Sequence, residues 1–284
     1  MTGPLEHVLI ITRLTFREAR RRSLIWIGLV LGALFVTVFA VGFYFAYKDF
    51  TRSSAAGFNS SVALQFYSFF LMAGLYVINF LVIMVTVLTV VGTISGEIGT
   101  NTIHAIAAKP VRRWEIVMGK WLGHAIMLAI YAVLLSSGVI AAVYLISGYL
   151  PPNVLVGVAI LVLESLVALS MTLLGSTIFS TLANGVVAFM LYGLAFVGGW
   201  VEQIGSLLDS QAAVDIGIVS SLFMPSEALW RFAAAQMQNS GLMAQISSPF
   251  SAISRPTPAF VVYAGVYVVA LLVAAMLVFH RRDF

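Results

Sequence analysis

Residues 96–122 read GEIGTNTIHAIAAKPVRRWEIVMGKWL, and they separate two apolar runs. Upstream, residues 65–95 contain no Asp, Glu, Lys or Arg, and downstream residues 121–147 contain none either. Charge-free runs of about 18 or more apolar residues read as transmembrane helices. The stretch between them carries Glu97, His104, Lys109, Arg112, Arg113, Glu115 and Lys120. It therefore reads as a polar loop at one membrane face, and the fold as a helical membrane protein.

Composition agrees. The chain has 284 residues, 61% hydrophobic and 9% charged, with a mean hydropathy of +1.03. Soluble domains carry about 25% charged residues. This much apolar surface cannot be hidden in one core. A β-barrel would need short alternating strands, and these runs are long and continuous. The chain has no cysteine, which excludes disulfides, thiolate metal sites and a cysteine nucleophile. The first apolar run follows five arginines and is longer than the core of a signal peptide, about 7–15 residues, so it is expected to remain as a span.

Six spans are predicted: residues 23–47, 65–95, 121–147, 154–180, 185–201 and 259–279. The fifth is the shortest and leaves room for a helix that turns back. With the N-terminus inside, eleven lysines and arginines lie on the cytoplasmic side (Arg13, Arg17, Arg20, Arg21, Arg22, Lys109, Arg112, Arg113, Lys120, Arg281 and Arg282). Four lie outside (Lys48, Arg52, Arg231 and Arg255). The positive-inside rule then puts both termini in the cytoplasm. The basic balance reflects this topology and not nucleic-acid binding.

Residues 1–22 read as an amphipathic interfacial helix. Leu5, Val8, Leu9, Thr12, Phe16 and Ala19 share one arc, and Arg13, Arg17, Arg20 and Arg21 another. Ile10, Ile11 and Leu14 interrupt the polar arc, so the helix is expected to wedge between lipid and protein. Residues 202–258 form a long extracytoplasmic insertion, expected to contain helices. Ser226 is read as a helix cap with Glu227 in the first turn, and Leu229, Phe232 and Ala233 as its apolar face. The run at 216–224, IGIVSSLFM, is apolar enough to touch the membrane. The chain reads as one transmembrane domain, 1–284.

Within the opening stretch, Asn101 or Thr102 can cap a short helix. Ile103, Ile106 and Ala107 give it one apolar side, and Pro110 ends it. Trp114 and Trp121 suit the membrane interface. The implied element is a short helix across the cytoplasmic ends of the second and third spans.

The stretch resembles the cytoplasmic loop of type-2 ATP-binding-cassette transporter permeases. Gly96-Glu97, Thr102, Lys109-Pro110, Arg113 and Gly119-Lys120 match that loop in order and spacing. Asn101 stands where the family has Gly before the Thr. Pro225 to Ala228 is similar to an element before the last span, most of all in the branch that includes the nitrous-oxide-reductase maturation permease. The resemblance implies that the loop 96–120 carries a coupling helix, seated on a separate cytoplasmic ATPase that binds ATP and Mg. It also implies a second permease copy, identical or similar, and export across a prokaryotic inner membrane. Glu97, Thr102, Ile103, Ile106, Lys109, Arg112 and Arg113 are the expected coupling residues. Consistently, the chain has no G-x-x-x-x-G-K-[ST] phosphate loop of its own.

Glu164 is the one acid well inside a span, and intramembrane carboxylates are functional candidates by default. It is expected either to line a translocation path or to hydrogen-bond within the bundle. His7, His104, His124 and His280 lack metal-ligand spacing, and no Gly-x-Ser-x-Gly elbow is present, so neither a metal site nor a catalytic residue is expected. The rival readings are a secondary carrier, disfavoured by the lack of repeats and of further mid-span charges, and a membrane anchor for a soluble partner.

Overall fold

A computed structural model describes residues 4–21, 23–54, 60–99, 112–238 and 256–282. Among them every regular element is a helix: α1 (Pro4–Arg21), α2 (Ser23–Ser54), α3 (Ser60–Val90), α4 (Ser95–Gly99), α5 (Arg113–Ser147), α6 (Val154–Ile178), α7 (Thr181–Leu207), α8 (Gln211–Phe223), α9 (Ser226–Met237) and α10 (Ala259–His280). Six spans are long and apolar enough to cross a membrane: α2, α3 continued through α4, α5, α6, α7 and α10. The fifth is longer than its hydropathy suggested. Polar Asn184, Glu202 and Gln203 dilute the apolar signal at its ends, yet all three are buried against neighbouring helices.

Contacts between helix ends set the directions. His7 meets Glu115, and the Tyr131 hydroxyl donates to the Gly28 carbonyl at 2.9 Å, so α1 and α2 both run parallel to α5. Arg113, at the start of α5, reaches the carbonyls at the end of α10. The beginnings of α1 and α5 and the end of α10 thus share one end of the bundle, here the basal end; the other is the distal end.

Helix α6 is the hub, touching α3, α5, α7, α9 and α10. Its hydroxyl groups can be buried because they are satisfied within the helix. The hydroxyls of Ser165, Ser170, Thr172, Ser176 and Thr177 donate to carbonyls three or four residues back. Leu71, Leu75, Ile78, Leu128, Leu169 and Leu173 fill the space between α3, α5 and α6. The α3 helix breaks at residues 91–94. Gly92 favours the helix weakly, and the Thr86 and Thr89 hydroxyls compete for carbonyls of the preceding turn.

The insertion at 202–258 folds back into the bundle. Helix α8 descends along α7, packed so closely that a Cβ on Gly205 would lie 2.6 Å from Ala213, and one on Gly217 would lie 2.7 Å from the Gly198 carbonyl. Ser220 Oγ donates to the Leu194 carbonyl at 3.2 Å. Leu194 precedes the end of α7 by thirteen residues, about 20 Å along its axis. The tip at Met224 therefore reaches mid-depth, where it packs on Ile83, Val87, Ala168, Ala188 and Ala195. Pro225 cannot continue the helix, and the chain turns by 105°. Helix α9 climbs back until Asn153 Nδ2 donates to the Gln236 carbonyl at 3.5 Å.

One local expectation is corrected here. Ser226 is the first residue of α9 and not its cap: Pro225 holds the cap position, and no side-chain cap bond forms. Leu229, Phe232 and Ala233 are buried as expected, but so are Ala228, Trp230 and Arg231, because α9 is enclosed on all sides.

Candidate coupling site at the basal end

Thr102, Ile103, Ile106 and Lys109 lie outside the described residues, as does the short helix expected to carry them. Glu97, Arg112 and Arg113, which flank that segment, are described, and each is tied to the bundle in a different way.

On the upstream side, Glu97 in α4 forms an ion pair with Lys120 of α5, and the same ammonium lies 3.4 Å from the Thr93 carbonyl. Lys120 is buried. A buried charge without a partner costs several kcal/mol, about 3–5 when one member of a pair is removed. The pair therefore holds the end of the second span against α5. Asn184 secures the same break from the other side, donating to the carbonyls of Val91 (2.9 Å) and Thr172 (3.0 Å).

On the downstream side, the Arg112 backbone N–H donates to Glu115 Oε2 at 3.2 Å. This satisfies one of the orphan donors at the start of a helix. His7 Nδ1 reaches the same oxygen at 3.1 Å. Glu115 thus joins the loop end to the first turn of α1. Arg113 donates to the carbonyls of Phe279 (3.4 Å), His280 (3.2 Å) and Arg282. The first two are orphan acceptors at the negative end of α10, where a guanidinium is favoured. Arg112 itself is exposed.

Helix α1 completes the basal end. Gly119 and Gly123, one turn apart on α5, form a groove filled by Val8, Ile11, Thr12 and Thr15 of α1. A Cβ at Gly119 would lie 2.6 Å from Ile11 Cβ, and one at Gly123 would lie 2.8 Å from Thr15 Cβ. Such small-xxx-small spacing lets helix backbones approach closely in a membrane. The expected apolar arc is therefore split. Val8 and Thr12 are buried against α5, whereas Leu5 and Leu9 are exposed, and Ile11 turns inward.

Glu164 lies at the centre of the bundle, 1% exposed, and accepts a hydrogen bond from Asn79 Nδ2 of α3 at 2.9 Å. A second polar contact sits in the distal half. Arg231 of α9 and Glu202 of α7 make a two-pronged contact at 2.6 and 2.7 Å, both side chains being buried. Arg231 is therefore not a loop charge. Sequence reading missed Asn79, Glu115, the glycine pair and the Glu202–Arg231 partnership. Only the glycines had a visible signal, their four-residue spacing at the entry to the third span.

These helices define an integral membrane protein of the all-α class. Residues 9–284 match the family model described as ABC-2 family transporter protein, and the chain belongs to that family. It is a permease subunit of an ATP-binding-cassette transporter, a class that works in a membrane with an ATPase subunit. The comparison with curated proteins gave no match.

Proposed function

We propose that this chain forms the pathway of an exporter driven by a separate cytoplasmic ATPase, which supplies the ATP and Mg sites. In this reading the basal end faces the cytoplasm of a prokaryote, and the chain pairs with an identical or similar permease copy. The ATPase engages Thr102, Ile103, Ile106 and Lys109, and Glu97, Arg112 and Arg113 carry its motion onward.

The anchoring of both flanks of residues 100–111 is the observation that supports this most. Glu97–Lys120 links the upstream flank to α5, and Arg113 links the downstream flank to α10. A displacement of the segment between them would reach the third span through Lys120 and the sixth through Arg113. Glu164 has a further role in the proposal: relative sliding of α3 and α6 would part it from Asn79 and open it to the path. Pro225 to Ala228 supports placing the chain near the nitrous-oxide-reductase maturation branch.

The test is to tag the chain, extract it gently from its native membrane and identify what co-purifies. A stoichiometric ATPase with a phosphate-binding loop, lost on replacing Arg112 and Arg113 together with Ala, is the expected result. Arg113→Ala that leaves assembly and ATPase stimulation intact would remove Arg113 from the coupling role. A chain that purifies alone, yet moves a solute into liposomes under an ion gradient, would make it a secondary carrier.

A further inference from the structure

Two carboxyls inside the bundle have no cation of their own. Among the described residues the buried acids are Glu115, Glu164, Glu202 and Glu227, and the buried lysines and arginines are Lys120 and Arg231. Lys120 is held by Glu97 at the basal end, where Glu115 faces His7. Arg231 sets both of its terminal nitrogens on Glu202. One guanidinium offsets one carboxylate, so Glu164 and Glu227 remain. An uncompensated charge in the membrane interior is costly.

The two carboxyls approach each other near mid-depth. The Tyr76 ring of α3 packs on Trp230 of α9, with centroids 5.0 Å apart. α3 descends and α9 climbs, so one turn basal to that contact Asn79 comes level with Glu227. Asn79 is the residue that donates to Glu164 of α6. Glu164 and Glu227 lie within electrostatic reach of each other, and Tyr76 of α3 and Tyr192 of α7 within reach of both. Glu227 fills a notch in α7, where a Cβ on Gly199 would collide with its Cγ. The other helices around α6 bring no cation to this level. On α5, Tyr131 turns to Gly28, and His124 and Lys120 lie about 9 and 15 Å basal to the midpoint at Ile130. On α10, the Tyr263 and Tyr267 hydroxyls donate to the last carbonyls of α8.

The same place lacks a donor. Asn79 Nδ2 donates to Glu164 Oε1, but Asn79 Oδ1 and Glu164 Oε2 are buried with no partner among the described residues. Both leftover atoms are acceptors. A proton supplies a donor and cancels a charge at once, and it needs no cavity. The two carboxyls are not equivalent. Glu227 is in the first turn of α9, at the positive end of that helix and one turn from Arg231, where negative charge is favoured. Glu164 is in the middle of α6 and meets only a neutral amide.

We propose that Glu164 is a proton-binding site in the membrane interior, and that Glu227 is the group through which its proton exchanges with the distal side. Arg231 and Glu202 continue the polar groups from Glu227 toward the distal end of α7, which makes that side the way out. The site needs neither the ATPase nor a second permease copy.

Infrared spectroscopy of the full chain in lipid nanodiscs tests this. At neutral pH, exposed and ion-paired carboxylates absorb as anions, and a protonated carboxyl shows a separate carbonyl stretch. The unaltered chain should show that band, and transfer to heavy water should shift it. E164Q should abolish the band. E227Q should keep it and slow its shift in heavy water several-fold. D215N, at an exposed acid of α8, should change neither. Absence of the band in the unaltered chain would overturn the proposal. So would a band that survives E164Q or is lost in E227Q, since the proton would then rest elsewhere. A band that never shifts in heavy water would make Glu164 a sealed structural acid, and equal shift rates with and without Glu227 would remove the exchange route; either result overturns it. If E164Q is not monodisperse, E164D decides: the band should persist at a displaced frequency, and an undisplaced band would overturn the assignment.

Discussion

The sharpest prediction concerns Gly119→Ala. The added Cβ would lie 2.6 Å from Ile11 Cβ, 2.7 Å from Ile11 Cγ2 and 3.1 Å from the Val8 carbonyl oxygen. Optimal carbon–carbon separations are about 3.5–4.0 Å. The Val8 carbonyl is backbone and cannot rotate away, so α1 must move off α5 by about 1 Å. Overpacking of this kind costs about 1–3 kcal/mol. The gain in helix propensity from Gly to Ala acts on α5 whether or not α1 is docked, so it does not offset this cost. A loss of about 1–3 kcal/mol in α1 docking corresponds to about a 5–140-fold rise in the undocked population, given about 1.4 kcal/mol per factor of ten.

Maleimide labelling reads this directly. A cysteine at Val8, 5% exposed, is shielded while α1 is docked. In that background Gly119→Ala should accelerate labelling by about 5–140-fold, under conditions where opening is fast relative to the label. Gly42→Ala is the control, because a Cβ there meets nothing within 4 Å. Equal labelling rates for Gly119→Ala and the parent would refute the close-packing argument. So would the same acceleration from Gly42→Ala.

Three further outcomes are expected. Arg231→Ala removes the guanidinium that Glu202 contacts inside the bundle and should cost about 3–5 kcal/mol, read as loss of monodisperse protein after mild heating; replacing both residues with apolar ones of similar volume should restore most of it. Asn79→Leu removes the donor to Glu164 and should destabilise by about 1–3 kcal/mol, while Glu164→Gln keeps an acceptor for Asn79 and should fold normally; if Glu164→Gln also leaves transport unchanged at every pH, Glu164 has no place in the path. Lys120→Met should release α4 from α5 and raise protease access near Gly99, whereas unchanged cleavage would show that the ion pair with Glu97 does not hold that end.

Hydropathy located all six spans, because in a membrane the requirement for internal backbone bonding leaves long helices as the form for such runs. It failed where burial and composition part company. The α7 helix outran its apolar signal because Asn184, Glu202 and Gln203 face protein and not lipid. The return of α8 and α9 into the bundle was hidden because IGIVSSLFM suits a membrane surface and a membrane interior equally. The arc on α1 was misdivided because its partner is both lipid and α5, and a moment calculated for one apolar medium cannot separate them. In the site, Glu164 was visible as a lone charge. Asn79 was not, since a neutral amide in a span gives no such signal. Glu97 and Lys120 are 23 residues apart and could be joined only once α3 and α5 were placed side by side.

The hairpin of α8 and α9 also bears on parity. It enters from the distal side and leaves by the distal side, so it adds two helices to the membrane interior and no crossing. The number of crossings stays even, and the chain finishes on the side where it began. A straight helix in its place would invert the last span. Arg113 would then face the beginning of α10, a helix end offering amide donors, and a cation there would be repelled and not held. The bend at Pro225 is thus what brings the last carbonyls of α10 within reach of the polar segment that interrupts the apolar runs.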